Sequence, residues 1–228
     1  MPPFVVAIDG PAASGKGTLA RRLAERFGLA HLDTGRLYRA TAALVLEAGA
    51  DPADPTAAAD AARRTGAMNL ADPILSSEAV ARAASLVAAI PAVREALLAV
   101  QCDFAADPPA PADTGRAGST GLQGAVLDGR DIGTVVCPEA AVKLFLDASI
   151  EARAGRRVRE LRERGATAIY DDVLQDMKER DARDSLRRVA PLAAAPDAVI
   201  IDTTGLDADR VFEQACEVIA RALAAYGR

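Results

Sequence analysis

The sequence predicts an α/β fold in which a five-stranded parallel sheet is flanked by helices. The first observation is that short apolar runs without alternation, such as residues 4–8, recur along the chain, which is typical of strands buried on both faces of a parallel sheet. The second is that segments with apolar residues at helical spacing separate these runs. At 228 residues, the chain has the length of one such domain with a small insert.

Residues 4–18, with the sequence FVVAIDGPAASGKGT, carry the strongest local signal. An apolar run ends at Asp9, a loop of small residues follows, and a helical pattern starts at Gly15. Glycines let consecutive backbone N–H groups face an anion, and the positive end of the helix dipole points to the same place. The chain has three lysines among its 27 basic residues, so Lys16 favours a compact point charge here over a guanidinium. Together these features predict a phosphate-binding P-loop, against the alternative of a glycine-rich turn that only caps a helix.

One position departs from the GK[ST] pattern of such loops. Gly17 follows Lys16, and the hydroxyl comes one residue later, at Thr18. The usual hydroxyl ligand of Mg²⁺ is thereby displaced. In this respect GKGT resembles the loop of the nucleoside-monophosphate kinases rather than that of a GTPase.

The remaining elements follow from the same two patterns. Apolar runs predict four further strands, at residues 29–33, 125–127, 142–146 and 198–201. Helical spacing predicts further helices, from residue 34 onward and at 78–90, 91–104, 149–164, 170–188 and 207–226. Two stretches fit neither pattern. Residues 49–77, rich in Ala, Asp and Pro, are typical of a peripheral insert, and residues 107–124 predict a surface loop.

Composition excludes several classes of function. The formal net charge of −5 argues against nucleic acid or an anionic membrane as the main partner. Three scattered cysteines without a CxxC pair indicate neither disulfides nor a zinc site, and His31, the single histidine, excludes histidine-based triads. No signal-peptide or membrane-spanning apolar run is present. We therefore expect a cytoplasmic monomer that binds neither nucleic acid nor membranes.

Parallel sheets bind ligands at the carboxyl ends of their strands, and several predicted strands end there in aspartate. These aspartates are Asp9, Asp33, Asp128 and Asp202, of which Asp202 is best explained as a simple turn cap. Two charged clusters follow the strands directly. In DTGRLYR (33–39), Thr34 starts a helix at a point suited to an anion and Arg39 lies about one and a half turns on, with a solvated arginine as the alternative.

The second strand-end cluster is DGRDIGT (128–134), which crosses a glycine turn directly after a buried strand. A structural turn is the alternative, but such charge density beside a core strand is costly unless a ligand or salt bridges compensate it.

Two more clusters lie on predicted helices. Six arginines fall between residues 153 and 164, where Arg153 and Arg157 share a face and Arg159 and Arg162 are better explained as solvated.

The fourth cluster, residues 178–188, places Arg180, Asp184 and Arg187 at i, i+4 and i+7 on one helical face. An arginine surface neutralised by aspartate is one interpretation. A site for phosphate and base is the other, because the guanidinium fork matches both groups.

These motifs, in order and across nearly the whole chain, resemble the bacterial cytidylate kinase family. The matching stretches are GPAASGKGT, DTGRLYR, ASLVAAIPAVR, DGRDIGT, KLFLDAS, KERDARD and RRVAPL. The resemblance implies a P-loop NTPase-type core with a small NMP-binding insert and a lid, and phosphoryl transfer from ATP to CMP or dCMP. It implies one domain over residues 1–228, divided into a core (about 1–40, 91–150 and 165–228), an insert (about 41–90) and a lid (about 151–168). Compared with the family, residues 49–77 look short and lack its strand-forming run, and residues 107–124 look long.

The resemblance also implies the residues of the site. ATP would be bound by Gly10, Pro11, Ala12, Ala13, Ser14, Gly15, Lys16, Gly17 and Thr18. The CMP phosphate would be contacted by Thr34, Arg39, Arg94, Arg130 and Arg180, and the base and sugar by Ser85, Asp131, Asp184 and Arg187. The catalytic residues would be Lys16, Arg130, Arg153, Arg157 and Arg180. Mg²⁺ would arrive with ATP, held mostly by phosphates and water, with no dedicated protein metal site.

Two classes of alternative remain open from the sequence. One is a kinase of another small acceptor, such as AMP, UMP or shikimate. The other is a P-loop switch that binds nucleotide without turning it over, which would carry a GK[ST] loop and a DxxG element where this chain has GKGT.

Overall fold

A computed structural model describes residues 2–110 and 123–226 of the chain and confirms the α/β fold. Five strands form one sheet in the order β2-β3-β1-β4-β5, and every neighbouring pair is parallel. The strands are β1 (Phe4–Asp9), β2 (Ala30–Asp33), β3 (Gly124–Asp128), β4 (Val142–Asp147) and β5 (Val199–Asp202). Because each ends in an aspartate and all run in the same direction, carboxylates line one edge of the sheet.

Eight α-helices connect and cover these strands in the described part of the chain. They are α1 (Lys16–Phe27), α2 (Thr34–Glu47), α3 (Pro55–Arg64), α4 (Glu78–Val87), α5 (Pro91–Ala106), α6 (Ile150–Glu163), α7 (Tyr170–Ser185) and α8 (Ala208–Tyr226). Short 3₁₀ turns lie at Thr65–Ala67 and Pro73–Ser76, and a π-helix lies at Ile132–Val136.

The hydrophobic core has one part on each face of the sheet. Strand β1 contributes to both, as its unalternating sequence predicts, because every one of its residues is buried. Val5 and Ala7 pack with side chains of α2 to α5, whereas Val6 and Ile8 pack with α1 and α8. The central strand is thereby fixed from both sides, and so is the loop that leaves its carboxyl end.

The helix predicted over residues 170–188 is too long at its C-terminus. Helix α7 ends at Ser185, and the chain then folds back so that the Leu192 amide donates to the Asp184 carbonyl at 2.9 Å. Ala190 has a positive φ of 49°, which a helical path does not allow, and Pro191 follows it. Arg187 therefore lies beyond the helix rather than on its face.

The predicted insert, residues 49–77, is largely helical. Asp54 caps α3 by accepting from the Thr56 amide at 2.8 Å, and Pro55 occupies the first turn. Four alanines of α3 are buried, and the helix packs against α2 and α5, so the insert shares the core of the protein. Of the predicted surface loop at 107–124, residues 111–122 lie outside the described residues.

No single helix in the described ranges is long and apolar enough to cross a membrane. Helices α4 and α5 have the required length and composition only as a pair, and they bend by 100° at their junction.

Candidate active site

The loop between β1 and α1 has the backbone that its glycines predict. Gly10 has a φ of 144°, and a Cβ there would lie 2.0 Å from the Leu146 carbonyl oxygen, so no other residue fits. Gly15, which precedes α1, has a φ of 97°. Ala13 is the loop's non-glycine residue with positive φ, at 58°. The loop is therefore held in a curled conformation in front of the N-terminus of α1.

Lys16 lies inside this curl. Its side chain is buried, and its Nζ donates to the Pro11 carbonyl at 2.7 Å and lies 3.5 Å from the Ser14 hydroxyl. Burial, and after it the nearby Arg130, lowers the pKa of Lys16 well below its ordinary value. A cation held at this cost beside a helix N-terminus is suited to an anionic ligand.

Four predicted arginines converge opposite the P-loop. Arg180 is the central one, because its buried Nε has no hydrogen-bond partner and it forms no ion pair within the described residues. Burial, and then the charge of Arg130, lowers the pKa of Arg180 to about 9, and Arg39 and Arg157 act in the same direction. Asp184 is the acidic group that acts against them. This cluster has more positive charge than its own carboxylates balance.

Arg39 and Thr34 are anchored beside the cluster by hydrogen bonds to the backbone. Arg39 donates through Nη1 to the Leu75 carbonyl at 2.8 Å, and the Thr34 hydroxyl donates to the Asp128 carbonyl at 2.8 Å. Burial, and then Arg157, lowers the pKa of Arg39. Both residues lie where the sequence places them, at the start of α2.

A second group of predicted residues forms paired charges. Asp184 accepts from Arg130 Nε at 2.9 Å, and its other oxygen lies 3.0 Å from Arg187 Nη2. Burial opposes the charge of Asp184, but Arg130 and then Arg187 outweigh it and lower the pKa of this carboxyl. Arg94 and Asp131 form a buried ion pair. These contacts fix the cluster's geometry before any ligand binds.

Within the described residues, Ser85 forms no hydrogen bond with Asp184. Its hydroxyl accepts from Arg183 Nε at 3.1 Å, so it lies beside α7. Arg183 therefore joins the site as a residue that the sequence pattern did not single out.

The two predicted lid arginines on α6 point in different directions. Arg153 is buried, pairs with Asp181 at 2.7 Å and lies 3.4 Å from the Ala12 carbonyl of the P-loop. Arg157 pairs with Glu160 at 2.8 Å and also with Glu78, which starts α4. Helix α6 therefore contacts both the P-loop and the insert.

A cavity beside the P-loop contains residues that sequence reasoning missed. Thr18 and Leu19 of α1 line it together with Arg156, Thr203 and Leu206. Arg156 Nη1 donates to the Thr203 hydroxyl at 2.9 Å, which in turn donates to the Ser14 carbonyl at 3.2 Å. No local signal could have found this cavity, because its walls come from three segments: the P-loop with α1, helix α6, and the loop after β5 with the start of α8.

A parallel α/β sheet, a P-loop with a buried lysine and an opposed cluster of arginines define a P-loop phosphotransferase. A family model described as cytidylate kinase matches residues 6–221. The chain belongs to the cytidylate kinase family.

Similar proteins extend over nearly the full length of the chain. A cytidylate kinase of Rhodospirillum rubrum is 55% identical over 95% of this chain and 97% of its own. One of Paramagnetospirillum magneticum is 55% identical over 94% and 97%, and one of Granulibacter bethesdensis is 54% identical over 96% and 97%. The crystal structure of TT1252 from Thermus thermophilus, at 20% identity, covers 98% of this chain and 99% of its own with a TM-score of 0.48, which is too weak a likeness to carry an argument.

Proposed function

We propose that this protein transfers the γ-phosphoryl group of ATP to CMP or dCMP, giving ADP and CDP or dCDP, a step of pyrimidine nucleotide metabolism. The observation that carries the proposal is Arg180, whose guanidinium has no hydrogen-bond or ion-pair partner among residues 2–110 and 123–226 and lies beside Arg39, Arg130 and Arg157. Excess positive charge at this density is costly until a polyanion compensates it. The polyanion is proposed to be the phosphates of the two bound nucleotides. Membership of the cytidylate kinase family supports cytidine monophosphate as the acceptor nucleotide.

ATP occupies the P-loop side in this proposal. Residues 10–18 surround its phosphates, and Lys16 exchanges its contact with the Pro11 carbonyl for a phosphate oxygen. The cavity lined by Leu19, Thr203 and Leu206 is the place proposed for the adenine ring, since its apolar walls and hydroxyl suit a purine.

The acceptor phosphate lies among Thr34, Arg39, Arg130 and Arg180, with Arg94 behind them. Arg94 is already neutralised by Asp131, so we assign it a smaller share of the phosphate charge than Arg180. Phosphoryl transfer requires little covalent chemistry from the protein, because alignment and neutralisation of charge lower the barrier. Lys16, Arg153 and Arg157 contribute the neutralisation on the donor side.

The cytosine ring lies against Asp184, Arg187 and Ser85, and the sugar lies against Asp131. A carboxylate accepts from the exocyclic amino group of cytosine and repels the carbonyl that uracil has in its place. A site built for one such group discriminates against an analogue that lacks it.

The protein fits a Mg²⁺ ion that arrives with ATP rather than one resident in the protein. The described residues contain no group of three or more His, Cys, Asp or Glu side chains that could hold a metal. Mg²⁺ usually keeps several waters and binds through substrate phosphates, and the exposed Thr18 hydroxyl at the start of α1 is the protein oxygen we assign to it. When bound, Mg²⁺ neutralises part of the phosphate charge.

We assign residues 151–168 as a lid and residues 41–90 as an NMP-binding insert that close over a core formed by 1–40, 91–150 and 165–228. Contacts of α6 with the P-loop and with α4 support this division. Closure excludes water, which would otherwise accept the phosphoryl group.

A reducing cytoplasm is the proposed location, which suits the free thiols of Cys102, Cys137 and Cys216.

An acceptor screen tests the function. The purified protein is incubated with Mg²⁺ and ATP together with CMP, dCMP, UMP, AMP or shikimate, and ADP formation is measured. We expect the highest kcat/KM with CMP and dCMP. The variant Lys16→Met, purified in the same way, is the negative control that reports activity from contaminating kinases. Preference for AMP, UMP or shikimate would assign another acceptor, and nucleotide binding without any turnover would assign a switch.

A further inference from the structure

Asp9 links the two halves of the site although no phosphate-binding pattern includes it. It is the last residue of β1, next to Gly10 of the P-loop, and only 3% of it is exposed. Its Oδ1 accepts from the Ile132 amide at 2.8 Å and its Oδ2 accepts from the Gly133 amide at 2.7 Å. Both carboxylate oxygens are therefore committed to the backbone of a segment more than 120 residues away.

The segment that Asp9 holds is the π-helix at Ile132–Val136, and it directly follows Arg130 and Asp131. π-Helices are rare, and they occur often at functional sites. The amides at the start of such a helix lack acceptors within it, so the Asp9 carboxylate supplies them. The position of Asp131, which pairs with Arg94, and of Arg130, which pairs with Asp184, therefore depends on this junction.

We propose that Asp9 is a positioning residue that ties the acceptor-phosphate arm, Arg130 and Asp131, to the P-loop strand. The inference rests on the proposed CMP kinase function. Its consequence is that the two substrates are aligned through one buried carboxylate, which must be charged to accept from both amides at once.

Burial and the neighbouring groups of Asp9 have opposing effects on the pKa of its carboxyl. Burial raises the pKa of its carboxyl to about 6, although the Gly133 and Ile132 amides act to lower it. The ionisable groups that also face it are Asp131, which raises the pKa, Lys16 from α1, which lowers it, and Cys137 after the π-helix. Protonation turns one oxygen into a donor that faces an N–H group, so one of the two amide contacts is lost below about pH 6.

The direction in which Asp9→Asn changes the stability of the fold distinguishes a positioning role of Asp9 from a purely structural one. Because the pKa of Asp9 in the folded protein lies above its ordinary value, the charged form makes folding less favourable, and this cost grows as the pH rises from about 4 to about 6. Asp9→Asn, which keeps the shape and removes the charge, should therefore be no less stable than wild type above pH 6. A merely structural carboxylate would instead lose stability on substitution.

The experiment compares wild type, Asp9→Asn and the matched control Asp202→Asn between pH 5 and pH 8. Asp202 ends β5 in the same way, but it is exposed and accepts from the Thr204 amide within its own turn. The kcat/KM for CMP, the KM for ATP and the melting temperature are measured for each protein. CMP carries a phosphate with a second pKa near 6 of its own, so the ratio of wild type to variant is used, in which that titration cancels.

For Asp9→Asn we expect kcat/KM for CMP to fall roughly tenfold at pH 8, since one contact to a charged acceptor is lost. KM for ATP should change by less than about twofold, because the P-loop keeps its contacts. The ratio of wild type to variant should approach one at pH 5 and rise with a midpoint near 6. A ratio that is flat with pH, or equal effects on both substrates, would overturn the proposal.

A measurement on the wild type alone decides the point even if the variant fails to fold. The amide ¹⁵N signals of Ile132 and Gly133 are followed by NMR during a pH titration without nucleotide. A shared transition near pH 6 supports the inference, and its absence refutes it. Because this readout does not require turnover, it also separates a failure of the inference from a failure of the proposed function, which the wild-type activity with CMP reports.

Discussion

Replacement of Arg180 by methionine should stabilise the protein and inactivate it. Burial and Arg130 lower the pKa of Arg180 from its ordinary value to about 9. At about 1.4 kcal/mol per pKa unit, this sets a ceiling of about 5 kcal/mol on the cost of keeping the guanidinium charged. Judged by its exposed surface, Arg180 is only half-buried, and Asp184 offsets part of the repulsion, so about 2 kcal/mol is a more realistic gain. Methionine keeps the unbranched apolar stem.

The assay has two arms. Thermal unfolding without nucleotide should show the variant melting about 4–8 °C above wild type, because 1 kcal/mol corresponds to about 2–4 °C at this chain length. Steady-state kinetics with CMP should show kcat/KM reduced by about 10²–10³-fold, as for loss of one strong electrostatic contact to the transition state. Added CMP should raise the melting temperature of wild type more than that of the variant.

The control is Arg221→Met on α8, an exposed arginine whose Nε donates to the Glu217 carbonyl. Its melting temperature and activity should stay close to those of wild type, because exposed substitutions outside special features change stability little. If Arg180→Met melts at or below the wild-type temperature, Arg180 is compensated within the fold, and the argument from unpaired charge is refuted.

Two further predictions concern the donor and the base. Lys16→Met should abolish turnover while the circular dichroism spectrum stays native, since the hydrogen bonds that the buried ammonium makes within the described residues are to its own loop; near-normal kcat with CMP would contradict its role. Asp184→Ala should lower kcat/KM for CMP by a factor that corresponds to a loss of about 2–4 kcal/mol of transition-state stabilisation, and it should change kcat/KM for UMP much less. Loss of the same factor with both nucleotides would mean that Asp184 only holds Arg130 and Arg187 in place.

The parts of the fold that local physics determines could be predicted from the sequence. Strand β1 was predicted from its unalternating apolar run, and the P-loop from Gly10, Gly15 and Lys16, because backbone sterics and burial act within a few residues. The arginine cluster was partly predictable as well. The carboxyl ends of parallel strands lie at the same edge of the sheet, so the charged motifs that follow β2 and β3 are expected to lie close together there.

What the sequence could not provide depends on how distant elements dock. The C-terminal end of α7 was placed three residues too late, since nothing local requires the return of Leu192 to the Asp184 carbonyl. The partners of the lid arginines, Asp181 and Glu78, come from other helices. The cavity next to Thr203 likewise has walls from three separate segments.

The arginines of the site divide into two groups according to their partners. Arg94, Arg130 and Arg153 are paired with carboxylates, and these pairs fix the geometry of the site. Arg180 and Arg39 have no carboxylate within ion-pair distance in the described residues, and the pKa of each is lowered by burial and by other arginines. The charge left uncompensated is therefore concentrated where the acceptor phosphate is proposed to bind. Binding of that phosphate would relieve a cost that the fold already carries, and the affinity for the acceptor and the instability of the empty site would have the same origin.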